Sequence, residues 1–240
     1  MRARQMLGIS APCFFAVNHH SLVSMPYRRT ENVVRRLAAR EQVILTAATE
    51  LAAEGGMAAV QIAAVAARAG IAAGTVYRYF PSKTDLIAEL VAAVAGRELD
   101  AMKAAGDAAP GPMSAMAASI STFASRALSE RKLAWAVMGE PVDPQVDAMR
   151  LDFRQSLAAE LEGRIGIAIA GRHLPDQDAR VAAPALVGAL MEGLLGPLAP
   201  TYDDAGQARE AVQTATLLAL RALGIIDARA RGLVAQCVLP

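Results

Sequence analysis

Apolar positions recur at helical spacing along most of this chain, most legibly between Val60 and Phe80, VQIAAVAARAGIAAGTVYRYF. Ile62, Val65, Ala66 and Ala69 fall at i, i+3, i+4 and i+7, the buried stripe of a short helix that Gly70 ends. A second short helix follows from about Ala72, its inward positions being Ile71, Val76 and Phe80. Two helices this short cannot bury a core alone. Ile44, Ala47, Ala48 and Leu51 upstream and Leu86, Leu90 and Val94 downstream supply the missing faces. The pattern predicts a small all-helical unit with a helix-turn-helix, whose second helix is the element shaped to enter a DNA major groove.

The same spacing predicts the remaining helices. The first runs from about Arg40 to Glu54 and stops at Gly55 and Gly56, where glycine relieves a left-handed turn. Pro81 blocks continuation of the recognition helix, and Ser82 with Asp85 three residues on forms a capping box for a helix reaching about Met102. Gly106 to Pro112, with two prolines, closes the N-terminal domain. Beyond it there is no sheet signal and no internal repeat. Helices are predicted over Met113–Leu128, Lys132–Met138, Pro144–Ile169, Asp178–Leu195 and Ala205–Leu223, with a loosely held tail from Asp227. The fold class is therefore all-α. Residues 1–39 form a flexible basic arm, 40–103 the DNA-binding domain with its connecting helix, and 112–226 a C-terminal helical domain.

Composition fits close-packed helices: 54% hydrophobic, 20% charged and few aromatics. The net charge of +1 hides an asymmetry. Met1 to Lys103 holds 12 Lys and Arg against 8 Asp and Glu, and the remainder 12 against 15, so a basic module precedes a mildly acidic one. Arg28, Arg29, Arg35, Arg36 and Arg40 concentrate the positive charge near the start, in an arm that either follows phosphates or remains a solvated tail. Leu7 to Val17 is too short to span a membrane and lacks a signal peptide's cleavage pattern; it reads as disordered, or as an overextended start with Met25 opening the product. Cys13 and Cys237 form no spaced motif, consistent with a reducing, cytoplasmic setting. His19 and His20 lack a spaced fourth ligand, and Glu140, Asp143, Asp147 and Asp152 give no metal cage, so neither metal nor cofactor is expected. With three histidines and no Gly-rich phosphate loop, HExxH or GxSxG, the chain does not read as an enzyme.

The candidate chemistry lies on the short recognition helix and its flanks. Thr75 can meet a base edge or phosphate, Ala72 and Ala73 can pack on thymine methyls, and Gly74 removes bulk where the helix nears the backbone. Tyr77 and Tyr79 suit phosphate donation better than base reading. Lys83 sits in the first turn of the next helix, where a cation opposes the dipole unless a phosphate joins it. Each of these also has an ordinary role, Thr75 as a helix residue, the tyrosines as half-buried packing groups and Lys83 as a solvated lysine.

The run AARAGIAAGTVYRYFPSKTDLIAELV from Ala66 to Val91 resembles the DNA-binding domain of the TetR family of transcriptional regulators, chiefly through AGI at Ala69–Ile71, GTVYRYF at Gly74–Phe80 and the following PSK. The resemblance implies a homodimeric, wholly helical regulator, most often a repressor, whose C-terminal domain binds a small molecule and weakens operator binding. It implies a DNA surface that includes Gly74, Thr75, Tyr77, Tyr79 and Lys83, and Gln61, Ala72 and Ala73 complete the expected contact set. Gln61 and Ala72 stand where the family often carries a hydroxyl, so both helices of the motif lack their preferred caps. The segment PVDPQVDAMRLDF at Pro141–Phe153 is similar to one found in a subset of these regulators.

For the C-terminal domain two expectations follow. The stripes Leu186, Leu190, Leu194 and Val212, Leu218 are expected to form a four-helix dimer surface, the alternative being the monomer core. Met116, Phe123, Trp135, Met138, Met149 and Phe153 line a pocket for a mainly apolar effector or fill an ordinary core; Arg150 and Arg154 would orient the effector's polar end. The competing function is a helical protein-interaction or architectural module without operator specificity.

Overall fold

The computed structural model describes residues 31–141 and 143–237, and among these there are ten α-helices and no strand. Three helices and a 3-10 turn build the N-terminal unit: α1 (Glu31–Gly55), the turn Met57–Ala59, α2 (Ile62–Arg68) and α3 (Ala73–Tyr79). Their apolar stripes meet around Ile44, Ala48, Val60, Val65 and Val76, all fully buried, with Phe80 closing the end. α4 (Lys83–Asp107) starts in this core with Leu86, Leu90 and Val91 and continues into the C-terminal domain as a helix of 25 residues. At about 1.5 Å per residue it spans about 37 Å, so the two domains share one rigid connecting element.

The C-terminal domain comprises α5 (Pro112–Ser129), α6 (Arg131–Met138), α7 (Pro144–Ala170), α8 (Ala179–Leu194), α9 (Ala205–Ala222) and α10 (Asp227–Gln236). α5 is its axis, packed on all the others and on α4 and buried on most of its circumference. It tolerates this because its buried polar residues are short: Ser119, fully buried, donates to the Met102 carbonyl at 3.1 Å.

Three boundaries differ from the sequence expectation. The first helix begins at Glu31, not about Arg40, so Arg35, Arg36 and Arg40 stand exposed on a helix; Arg28 and Arg29 lie outside the described residues. α4 passes Met102 and ends at Asp107. The expected loose tail is helix α10, which packs on α9 and α5 through Ala230 and is tied to α9 by Asp227, the acceptor of both Arg221 and Arg231 (2.9 Å to the latter). Its apolar face is only Ala230, Leu233 and Val234, too sparse to signal a helix.

The dimer stripe is also corrected. Leu186, Leu190, Leu194 and Val212 are buried within the chain at 2–5% exposure, whereas Leu218 is 60% exposed. The outward face of α8 is instead Val181, Pro184, Ala185, Gly188 and Ala189. Of these, Ala189 borders a groove of about 250 Å³ between α8 and α9, walled also by Leu186, Leu190 and Leu194 and by Leu218 and Ala222 of α9. No helix among the described residues is long and apolar enough to cross a membrane. Cys13, His19 and His20 lie outside the described residues.

Candidate nucleic-acid interface and effector cavity

α2 ends at a left-handed glycine, Gly70 (φ 65°), with the Ile71 amide donating back to the Ala66 carbonyl at 3.0 Å. This closes the C-terminus of α2 and turns the chain sharply into α3. Inside α3, Val76 is fully buried. Ala72, Ala73, Gly74, Tyr77 and Arg78 are exposed, and Thr75 and Tyr79 are half-buried. Ala73, Gly74, Tyr77 and Arg78 follow at i, i+1, i+4 and i+5, so they share one face. That face holds small residues at its start, a phenol and a guanidinium at its end, and no carboxylate. Open space surrounds Gly74, where an added Cβ would meet nothing within 4 Å.

Neither motif helix has a side-chain cap, as the identities of Gln61 and Ala72 predict. Gln61 instead donates its side-chain amide to the Ala58 carbonyl at 2.9 Å, tying the start of α2 to the 3-10 turn. At the start of α4 the capping box is complete: the Asp85 amide donates to Ser82 Oγ at 3.0 Å, and the Ser82 amide to Asp85 at 3.0 Å. Lys83 is half-buried beside it. Arg68, on the last turn of α2, is held by Glu54 (2.8 Å) and Glu50 (3.2 Å), and its hydrogen bond keeps the Glu54 carboxylate below the usual range. Arg68 therefore braces α2 against α1, while Arg78, which the sequence-derived set omits, adds the charge on the exposed face.

The eight residues expected at an effector pocket do not form one site. Phe123, Met138 and Phe153 line a cavity among α4, α5, α6 and α7, together with Val94, Leu133 and Val137. Its volume is about 20 Å³, room for about one water and far below a ligand pocket of about 300 Å³ or more. Its mouth carries a charged cluster that the sequence reading missed, because its members come from α4 and from the distant end of α5. Arg126 donates to Glu98 twice, at 2.6 and 2.9 Å, while Arg97 bridges Glu98 (3.0 Å) and Glu130 (3.3 Å). Burial alone would raise the Glu98 pKa, but the hydrogen bonds from Arg126 and Arg97 outweigh it and hold the carboxyl below its ordinary value.

The other five lie elsewhere. Met116 is fully buried in the core. Trp135 packs against Gly139, where any Cβ would collide with the indole, and Met149 is half-buried against the core. Arg154 borders an outer groove between α7 and α8, with Leu151, Pro184 and Met191. Arg150 is 2% exposed, and its guanidinium donates to the backbone carbonyls of Ala136, Val137 (3.0 Å) and Glu140 and to Asp147 (3.3 Å). It ties the open carbonyl end of α6 to α7, so its donors are not aimed at a ligand. Replacing Arg150 with alanine strands those carbonyls and is expected to lower stability by about 3 kcal/mol in denaturant unfolding. Arg150→Lys recovers only part of this, because an ammonium cannot reproduce the planar fork.

A short exposed helix set by a tight turn on a three-helix core, joined by one long helix to a larger helical domain, defines a helix-turn-helix unit carried on a helical domain. Residues 44–90, the helix-turn-helix with its flanking helices, match the family described as bacterial regulatory proteins, tetR family. Over 72 residues, 30% of this chain, the sequence is 50% identical to the HTH-type transcriptional repressor KstR of Rhodococcus jostii; the match spans 32% of that repressor's length. It is also 50% identical over 68 residues to KstR of Mycobacterium tuberculosis, covering 28% of this chain and 29% of that one. Solved structures extend the likeness to the whole fold. RolR in complex with resorcinol superposes with a TM-score of 0.62 at 20% identity, over 86% of this chain and 98% of RolR. FadR of Bacillus subtilis in complex with stearoyl-CoA gives 0.59 at 20% identity, over 73% and 97%.

Proposed function

We propose that this chain is a sequence-specific transcriptional repressor, not an enzyme, working in the cytoplasm as a homodimer and released from its operator by a small, mainly apolar molecule. The observation that carries the reading is the exposed face of α3, small at Ala73 and Gly74, acid-free, and ending in Tyr77 and Arg78. Such a face fits a groove floor while its flanks reach phosphates. The 50% identity to the repressor KstR over 72 residues supports repression. One recognition helix reads only a few base pairs, so specificity needs two copies on half-sites about 34 Å apart or a multiple of that. The effector's place is the apolar cavity beside α6. Resorcinol on RolR and stearoyl-CoA on FadR, both of the same fold, support a small-molecule effector. At its present volume the cavity opens only if α6 moves, and an effector that favours the opened state then supplies the coupling.

The test is selection of bound duplexes from fragments of the source genome, followed by salt titration. Lys83→Ala is expected to weaken binding to every sequence and lower the salt slope by about 1, whereas Thr75→Ala changes the preference among sequences. Failure to enrich any duplex overturns the reading. An unchanged slope and affinity for Lys83→Ala removes that residue from the interface.

A further inference from the structure

α6 is eight residues long, and both of its ends are bonded to the DNA-binding domain. At its start the Lys132 ammonium donates to the Glu54 carbonyl at 2.7 Å. Two residues beyond its end, Glu140 Oε2 accepts from the Met57 amide at 3.0 Å. Both bonds reach one short segment, the last turn of α1 and the first residue of the 3-10 turn, separated by Gly55 and Gly56. Gly56 has φ 71°, and an added Cβ there would lie 2.7 Å from the Glu140 carboxylate. Glycine at 56 thus serves both the left-handed backbone and the close approach of Glu140. Glu140 is itself fixed, its amide bonded to the Trp135 carbonyl at 3.0 Å and its carbonyl accepting from Arg150. The other face of α6 supplies Leu133, Ala134, Val137 and Met138 to the cavity wall.

We propose that Lys132 and Glu140 are positioning residues that make α6 a two-point clamp on the glycine hinge between α1 and the helix-turn-helix. Displacement of α6 by an occupant of the cavity passes through these two hydrogen bonds into the segment that sets the start of α2. α4 also joins the domains, but it enters after the recognition helix; the clamp acts before it. The clamp's purpose rests on the regulator reading, while its existence is testable without DNA or effector.

The experiment places a covalent wedge in the cavity of the full chain, Ala134→Met, and follows amide hydrogen exchange over residues 54–62. The wedge is expected to raise exchange there about tenfold in the otherwise native chain, and by less than about twofold when added to a Lys132→Ala/Glu140→Ala background. In a Glu140→Gln background, which keeps an oxygen for the Met57 amide, the response to the wedge returns. Thermal melts identify folded variants, and Val137→Ile replaces Ala134→Met if the latter does not fold. An equal response to the wedge with and without the two side chains overturns the clamp, as does a wedge without effect in the native background. Since no duplex is used, either result leaves the operator-binding reading to its own test.

Discussion

Ala72→Asp is expected to stabilise the protein while nearly abolishing its binding to a selected duplex. Ala72 occupies the N-cap of α3 in an extended conformation, exposed and without a side-chain hydrogen bond. An aspartate there can accept from the free amides of the first turn, a gain of about 1 kcal/mol over alanine. The same carboxylate stands at the leading edge of the face proposed to approach phosphates. At about 6 Å and an effective dielectric of about 20, its repulsion from one phosphate is about 3 kcal/mol, or roughly a hundredfold in affinity. Ala72→Ser gains the cap without the charge and is expected to raise stability and keep or improve binding. Thermal unfolding and duplex titration on the two variants separate the effects. Full affinity in a stabilised Ala72→Asp variant would mean that α3 does not face DNA.

What was legible in the sequence was local or rested on a single stripe. The Ser82–Asp85 box, the stop at Gly70 and the inward set of Val65, Val76 and Phe80 each depend on residues within one or two turns, and the structure shows all three. The effector residues gather only in part, Phe123, Met138 and Phe153 at one cavity and the other five elsewhere, for a different reason. Periodicity marks Phe123, Trp135 and Met149 as apolar positions on helices, but it carries no information on which helix faces which, and so none on whether the space between them is filled. Arg150 illustrates the limit most clearly. Its charge suggested a ligand partner, whereas its surroundings are the open carbonyls at the end of α6, which only the fold brings to it. The charged cluster of Arg97, Glu98, Arg126 and Glu130 was invisible for the same reason. Each residue alone reads as solvated surface, and their pairing requires α4 and α5 to lie side by side.

Leu218→Arg is expected to convert the protein to a folded monomer that has lost specific duplex binding. Leu218 is 60% exposed at the rim of the groove between α8 and α9, where the exposed residues of α8 are the small Ala189 and Gly193. Small residues on an exposed apolar face allow two helices to approach closely, and an isolated chain gains nothing from leaving them in water. A two-fold interface places the substituted position in it twice, so one change inserts two cations into an apolar contact. Their desolvation costs several kcal/mol, enough to raise the dimer dissociation constant by about a hundredfold or more. With half-sites no longer read together, duplex affinity falls toward the non-specific level, about a thousandfold or more below the specific one. The control is Leu186→Ala. Leu186 is 5% exposed, in the chain's own core at the floor of the groove, so its truncation is expected to cost about 3 kcal/mol of monomer stability while changing association far less than Leu218→Arg. Sedimentation equilibrium at micromolar concentration, with denaturant unfolding of both variants, decides between the exposed rim of the groove and its buried floor. A Leu218→Arg protein that remains dimeric would move the interface elsewhere, and a Leu186→Ala protein that dissociates without losing stability would return it to the inner stripe.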